Sequence, residues 1–385
     1  MRRVLPDDAS VVIVGGGVIG ASAAFHLAEA GVHDVVLLEA HALGSGSSGK
    51  AAGGVRAQFS DRVNIELAQR SLAAFRRFPQ RPGSDIDLRL VGYLFLLDDA
   101  ATVRAFEQSV RLQNSLGVPS RMISVREAVQ LAPIIEDAGL LAAAFSPTDG
   151  VCSPDSVVQG YAAAARRMGA HILTDCPVIG IDDAGDARLR VRTPGGAVVA
   201  EAVICAAGAW SRDVASWVGV DLPVQPVRRE IAVTGPGCHL PDVLPMTIDF
   251  RTSFYFHREG PGLLMGISDP DEEPGFHLEP SDGWVERLVP AIAARAPKIL
   301  DLGLKTRWAG LYEVTPDHNA LIGTASVGGR FIYATGFSGH GFLMGPAVGE
   351  VLRDLYLGNS PSVDVTPLSV ERFSLSGARP EFNVV

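Results

Sequence analysis

Three glycines, Gly15, Gly17 and Gly20, stand directly after the apolar run Ser10-Val-Val-Ile-Val14 and directly before Ala21–Ala30, a helix-forming stretch that stops at Gly31. A strand, a glycine turn and a helix in that order present a dinucleotide pyrophosphate to a helix N-terminus. Gly15 permits the tight turn, Gly17 lets the backbone approach the pyrophosphate, and Gly20 lets helix and strand pack closely. Val18 and Ile19 complete the cradle. A second short strand, Asp34–Leu38, ends at Glu39, nineteen positions past Gly20 and followed by Ala40. An acid there hydrogen-bonds a ribose 2′-hydroxyl and repels a 2′-phosphate, which disfavours NADP. The motif alone does not separate FAD from NAD.

Three more stretches of small residues bear on that choice. Gly44-Ser45-Gly-Ser47-Ser48-Gly49-Lys50-Ala-Ala52-Gly53-Gly54 follows the ribose-binding strand. Such a run can lie against a large flat ligand with its N–H groups free; the alternative is a flexible linker. Ala206-Ala207-Gly208-Ala-Trp210 follows the apolar strand Val198–Cys205, where backbone can press on a cofactor. Gly336-Phe-Ser-Gly339-His340-Gly341 follows the strand Arg330–Thr335, with a helix expected over Pro346–Leu357. Nucleotide-type features at the start, middle and end point to one nucleotide domain, built from three separated stretches, with a second domain inserted twice.

The elements between must position these loops. Helices are expected over 64–78, 101–116 and 124–131, the last with a Ser124…Glu127 capping box. Another opens at Ser153-Pro154, an N-cap followed by proline at the first helical position, and runs to Arg167. Asp149-Gly150 reads as a turn. Strands are expected over 88–97 around Gly92, and over 171–173, 178–181, 188–193 and 198–205. Residues 224–310 are strand-rich, with one helix over 282–294.

Bulk properties narrow the classes. The chain has 385 residues, too many for one ordinary core, so two domains are expected. Charged residues make up 20% and the net charge is −10, which argues against nucleic acid and an anionic membrane surface. Cys152, Cys176, Cys205 and Cys238 form no CxxC and no metal spacing, so they read as reduced thiols. Arg2-Arg3 and the apolar run Val11–Leu27 loosely imitate a signal peptide, but glycines and His26 interrupt it. The expected location is cytoplasmic.

Taken in order, Val11–Gly20, Glu39, Gly44–Gly49, Val203-Ile-Cys-Ala-Ala-Gly-Ala-Trp210, Trp308–Gly323 and Thr335–Gly341 resemble the FAD-dependent amine and D-amino-acid oxidoreductases. That family includes glycine oxidase and sarcosine oxidase, and the chain is most similar in character to sarcosine oxidase β-subunit-like members. The resemblance implies an α/β fold, α+β overall. A Rossmann-like FAD-binding domain would comprise residues 1–85, 145–220 and 322–385. An interleaved, mainly antiparallel substrate domain would comprise 86–144 and 221–321. It implies oxidation of an amine or amino acid C–N bond: a hydride equivalent passes from substrate to flavin and the imine hydrolyses.

By the same resemblance, Arg56 matches the arginine that pairs the substrate carboxylate, Tyr312 matches an active-site tyrosine, and Tyr255 matches another more weakly. His340 lines the site. Lys50 and Gly310 fall where relatives carry the histidine or cysteine that bonds flavin covalently, so FAD is expected to be non-covalent. Val178, Phe342 and Leu343 join the implied cofactor set. Leu264 and Leu343 stand where sarcosine oxidase has an oxygen-activating and a carboxylate-binding lysine, which leaves the acceptor and the substrate open.

Each assignment has a plainer alternative. Arg56 could be an interdomain ion-pair partner, Tyr312 and Tyr255 core aromatics, His257 and His340 hydrogen-bonded structure, Lys50 a solvated charge, and Arg228-Arg229 surface charge. Two other functions stay open: a flavoprotein subunit or assembly factor active only within a hetero-oligomer, and an NAD-dependent dehydrogenase. A homo-oligomer is also compatible.

Overall fold

The computed structural model describes residues 5–237, 240–327, 330–375 and 377–383. Arg2, Arg3 and Cys238 lie outside them. One sheet carries the dinucleotide features. Its parallel strands are Asp8–Val14, Val35–Leu38, His171–Leu173, Gly196–Cys205 and Arg330–Thr335, with Asp8–Val14 between Val35–Leu38 and Gly196–Cys205. Leu321–Ser326 closes one edge antiparallel. Val11, Val12 and Ile13 are fully buried, as a strand covered on both faces requires. Helices Val18–Glu29, Pro154–Arg167 and Gly341–Leu357 cover one face.

The second sheet runs in the order Leu304–Val314, Gln225–Thr234, Gly262–Ile267, Phe254–Glu259, Met246–Asp249, Tyr93–Leu97, Ala142–Ser146, Arg121–Ile123. Every pairing is antiparallel except that of Met246–Asp249 with Tyr93–Leu97. Period-two alternation divides its faces. Leu94 and Leu96 pack under the helix Asp282–Arg295 through Trp284, Leu288 and Ile292. Tyr93, Phe95 and Leu97 face the other way, with Phe106 and Val110.

Several boundaries shift by a residue or two from the sequence expectation, and four differences have a physical reason. The last long helix starts at Gly341 rather than Pro346, and Pro346 lies inside it. Gly345 and Gly349 of this helix sit against Val18 and Ser22, where a Cβ would collide, so close packing on the first helix holds the extra turn. The strand expected over 88–97 is confined to Tyr93–Leu97, because Gly92 is left-handed (φ +86°) and Arg89 makes only a single bridge to Val151. Pairing expected from Val178 begins at Gly180, after Pro177, which has no N–H to give a ladder. The turn expected at Asp149-Gly150 falls at 147–148, and Gly150–Val151 is a short strand.

Asp317 anchors the end of the described chain. Its carboxylate accepts from Arg372 Nη2 (2.7 Å) and Nε (2.9 Å), from Asn319 N (3.2 Å) and from Arg379 N (3.2 Å). Arg372 and Asp317 are both buried. Asp317→Ala is expected to cost about 3–5 kcal/mol, because it takes the two-point carboxylate partner from a buried guanidinium. Urea unfolding would measure it.

Candidate active site

The glycine turn joins three strand ends. Gly15 has φ +109°, and a Cβ there would collide with the Ala206 carbonyl. A Cβ on Gly20 would collide with the Gly15 carbonyl. Gly17 differs: its only neighbour within 4 Å would be Ser48 Oγ, at 3.0 Å. So the protein's own backbone constrains Gly15 and Gly20, while Gly17 faces open space at the first turn of a helix. No side chain of the N-cap covers that turn, and Ser48 Oγ takes the Val18 N–H at 2.9 Å. Glu39 Oε2 accepts from Gly16 N at 2.6 Å, and Oε1 from His41 N at 2.9 Å, so the acid is oriented beside the turn. Ala40 follows it, and Cys176 N donates to the Glu39 carbonyl (2.9 Å), while Val178 packs half-buried against the core of this sheet.

The segment 44–54 is fastened, not free. Ser47 Oγ donates to the Leu311 carbonyl (2.7 Å), and Trp308 Nε1 donates to the Lys50 carbonyl (3.1 Å). Gly310 must be glycine here, since a Cβ would lie 2.7 Å from Lys50 Cβ. His257 Nε2 meets the Ala52 carbonyl at 2.9 Å, and burial lowers its pKa to about 4, so it is a neutral brace for this loop. Gly53 is left-handed (φ +77°) against Cys152. Ser45 and Gly49 stay exposed. Ala207 leads into Gly208, whose carbonyl accepts from Thr335 Oγ1 at 3.1 Å. Trp210 stands on the rim and stacks on Phe276 at 5.4 Å. Ile19, Phe342 and Leu343 bury their side chains in the helical core, Phe342 against Phe75.

Where the sheets meet, Arg56 is the centre. It is buried, and among the described residues it makes no ion pair. Its guanidinium lies 4.1 Å from the Phe59 ring and 5.5 Å from that of Phe95, a cation–π setting. Nη2 reaches His340 Nε2 at 3.3 Å. Guanidinium donates only, so Nε2 accepts and His340 is the neutral Nδ1–H tautomer. Burial, then the charge of Arg56, holds its pKa well below the usual value.

Three tyrosines face this centre from the second sheet, each opposite a glycine whose missing Cβ makes room: Tyr93 against Gly54, Tyr255 against Gly266, and Tyr312 against Gly339 (φ +97°). All three phenols are pushed up by burial, so they remain protonated donors. Arg229 lies 5.3 Å over the Tyr312 ring, and its Nε has no hydrogen-bond partner among the described residues. Arg228 beside it is likewise half-buried, has an Nε without a hydrogen-bond partner among the described residues and pairs with Glu272 at 2.9 Å, so the surface-charge reading describes neither residue. Glu313 accepts from Thr335 Oγ1 (3.0 Å) beneath Gly336 (φ +71°) and Gly341. Desolvation by the surrounding protein pushes its carboxyl up to about 7.

Asp149 was hidden in an apparent turn. It is fully buried, and neither carboxylate oxygen has a hydrogen-bond partner among the described residues. Burial pushes its pKa up to about 7; Ala57 N–H, Ser146, Gln58 and the charge of Arg56 lie near enough to oppose the shift, but none closes a hydrogen bond to it. A raised folded pKa means stability is full below the ordinary 3.8 and is lost as pH rises through about 7. Asp149→Asn is expected to flatten that slope, by roughly 2–4 kcal/mol between about pH 4.5 and about pH 8. Urea midpoints across that range would show it. Tyr93, Asp149, Arg229 and Glu313 were missed by sequence reasoning. For Arg229 and Glu313, alternation along a strand ending beside a glycine loop was the available signal.

The donor set fits FAD. One open glycine cradle lies at a helix start whose N-cap residue has no side chain to cover it, an acid stands at the adjoining strand end, and a second helix start at Gly341 has no cap from the side chain of its N-cap residue. An α/β dinucleotide unit apposed to an antiparallel sheet defines the class of protein. The chain belongs to the family described as FAD dependent oxidoreductase (DAO), whose profile matches residues 10–355. FAD is its cofactor.

The chain is 30% identical to 4-methylaminobutanoate oxidase (formaldehyde-forming) of Paenarthrobacter nicotinovorans, over 96% of this chain and 46% of that protein. It spans about half the length of the first curated relatives it matches. Its structure is similar to that of L-proline dehydrogenase from P. horikoshii, with a TM-score of 0.91, 30% identity and coverage of 97% of this chain and 100% of that one. Glycine oxidase from Geobacillus kaustophilus gives a TM-score of 0.85, 28% identity and coverage of 95% and 99%. Among the described residues no helix is long and apolar enough to cross a membrane, and no cluster of His, Cys, Asp or Glu could hold a metal ion.

Proposed function

We propose that this chain oxidises the C–N bond of a small amino acid or of a secondary or N-methyl amine bearing a carboxylate. The observation that carries this reading is Arg56, a buried cation without an ion pair, beside Tyr93, Tyr312 and neutral His340, with Tyr255 next to the two tyrosines. A guanidinium is suited to a carboxylate because it is planar and can hold both oxygens. FAD, when bound, accepts the hydride equivalent from the substrate C–H, and the resulting imine hydrolyses. Aromatic walls from Phe59 and Phe95 exclude water from the carboxylate site, and the tyrosines supply hydroxyl donors.

The cradle at Gly15–Gly20, Glu39 and the loops at 44–54, 206–210 and 336–341 hold the cofactor in this reading. Residues 1–85, 145–220 and 322–385 form the FAD-binding domain, and 86–144 with 221–321 the substrate domain. FAD is held without a covalent bond, since Lys50 and Gly310 offer neither an imidazole nor a thiol at the positions where relatives attach it. A cytoplasmic location agrees with Cys152, Cys176 and Cys205 being free thiols. Leu264 is buried between strands and carries no charge, which favours an acceptor other than oxygen.

The test is turnover with purified holoprotein on proline, sarcosine, glycine and the matching amines lacking the carboxylate. Dye reduction by the carboxylated set alone supports the reading; equal turnover of the decarboxylated set removes Arg56 from it. Steady peroxide release would assign an oxidase. A second reading, a subunit that works within a hetero-oligomer, draws on the stacked Trp210–Phe276 pair, exposed by 40% and 47% beside the cofactor loops. Gel filtration of the lone chain discriminates: a monodisperse, amine-reducible flavoprotein ends that reading.

A further inference from the structure

Arg56 is less free than its lack of an ion pair implies. A guanidinium has five N–H groups. One on Nη1 goes to the Gln58 carbonyl. The two on Nη2 go to His340 Nε2 and to the main-chain carbonyl of Asn383, the latter at 2.6 Å. A carboxylate can be gripped bidentately along either the Nη1–Nη2 edge or the Nε–Nη2 edge, and both edges contain Nη2. Neither edge is open until Asn383 or His340 gives up its bond.

Asn383 is held there by a built anchor. Glu381 is buried, and its Oε1 accepts from Ser60 N (2.8 Å), Ser60 Oγ (2.6 Å) and Asn383 N (2.9 Å). Oε2 accepts from Asp61 N (3.1 Å) and Asn64 Nδ2 (2.9 Å). Phe382 packs its ring on Phe250 at 5.6 Å yet stays 45% exposed. Asn383 itself is fully buried; Nδ2 donates to the Gln58 carbonyl (3.3 Å), and Oδ1 has no hydrogen-bond partner among the described residues. His340, by contrast, opens the long buried helix Gly341–Leu357 and packs edge-on against Phe59 at 4.9 Å. The half-exposed segment is the easier of the two to displace.

We propose that the segment Arg379–Asn383 is a wall of the substrate site that competes with the incoming carboxylate for Arg56, and that Asn383 is a specificity-determining residue. The inference rests on Arg56 being the carboxylate site of the proposed function. A charged carboxylate outcompetes a neutral carbonyl for guanidinium, whereas an ester or amide does not. The wall therefore selects free carboxylates over their esters and amides.

Calorimetric titration of the holoprotein with acetate tests this. The variants are Glu381→Ala, which removes the anchor, and a chain lacking residues 380–385. Both are expected to bind acetate about fivefold more tightly than wild type, because no competing state has to be vacated. Acetamide is expected not to bind wild type and to bind both variants measurably, because the neutral carbonyl of Asn383 no longer has to be displaced. In wild type, saturating acetate should speed hydrogen exchange at the Phe382 and Asn383 amides, a readout that stands if either variant fails to fold. Unchanged or weaker acetate affinity in the folded variants overturns the proposal, as does unchanged exchange at those amides or no acetate binding at all. Tighter acetate binding without flavin reduction by any amine would leave the wall standing and sink the proposed oxidation. Flavin reduction with the same KM in wild type and variants would do the reverse.

Discussion

Replacing Arg56 with methionine is expected to lower kcat/KM for a carboxylated substrate by about 30- to 5000-fold, the cost of truncating one partner of a buried charge pair. Turnover of an amine without a carboxylate should barely change. The fold is expected to survive, because Arg56 holds no ion pair whose partner would be left charged and alone. Burial already disfavours its charged form. One consequence follows whatever the role of Arg56, and another separates a carboxylate-binding arginine from a structural one. Asp149 loses the nearby positive charge that opposes its shift, so its pKa should rise beyond about 7. A structural arginine would instead lower the melting temperature and leave the ratio of the two substrates unchanged. Steady-state kinetics on both substrates, with calorimetric melting of the variant, checks all of it.

The second large effect concerns the glycine turn, where two substitutions should fail in different ways. Gly20→Ala puts a methyl into the Gly15 carbonyl, which is backbone and cannot step aside. Strand and helix must separate, so the expected outcome is an unstable protein that purifies without flavin. Gly17→Ala meets only Ser48 Oγ at 3.0 Å, and φ at this residue is −76°, open to any amino acid. That protein should fold with near wild-type stability. Its methyl, however, projects into the space that the pyrophosphate takes beside the helix start, and FAD affinity should drop by at least about tenfold, or ~1.4 kcal/mol. Far-UV dichroism and flavin content, measured on the same preparations, separate the two. Equal flavin content in Gly17→Ala and wild type would contradict the cradle assignment.

How much of this was readable in the sequence depends on the range of the interactions. The fingerprint was fully legible because it is local: Val11–Val14, three glycines and Glu39 sit within one short stretch. Caps were equally plain. Ser124 accepts from Glu127 N and Ser153 from Ser156 N, as their spacing implied. The late helix was misjudged because proline is a strong local stop signal, and the packing that overrides it comes from Val18 and Ser22, far away in sequence. Asp149 was misjudged for a related reason. Asp-Gly is a turn signal, but here Gly150 is required by the Arg89 carbonyl, and the carboxyl is carried inward. Tyr93 gave no local signal at all; its meaning comes from Gly54 across the interface. The Arg56–Asn383 contact spans almost the whole chain and could not be read without the fold.

Anaerobic titration of the purified holoprotein with a small N-methyl amino acid addresses the central claim most directly. The account predicts that flavin absorbance bleaches to completion with about one equivalent of substrate per flavin, and that the same amine without its carboxylate bleaches it far more slowly. Full FAD occupancy with no bleaching by any amine or amino acid would contradict it.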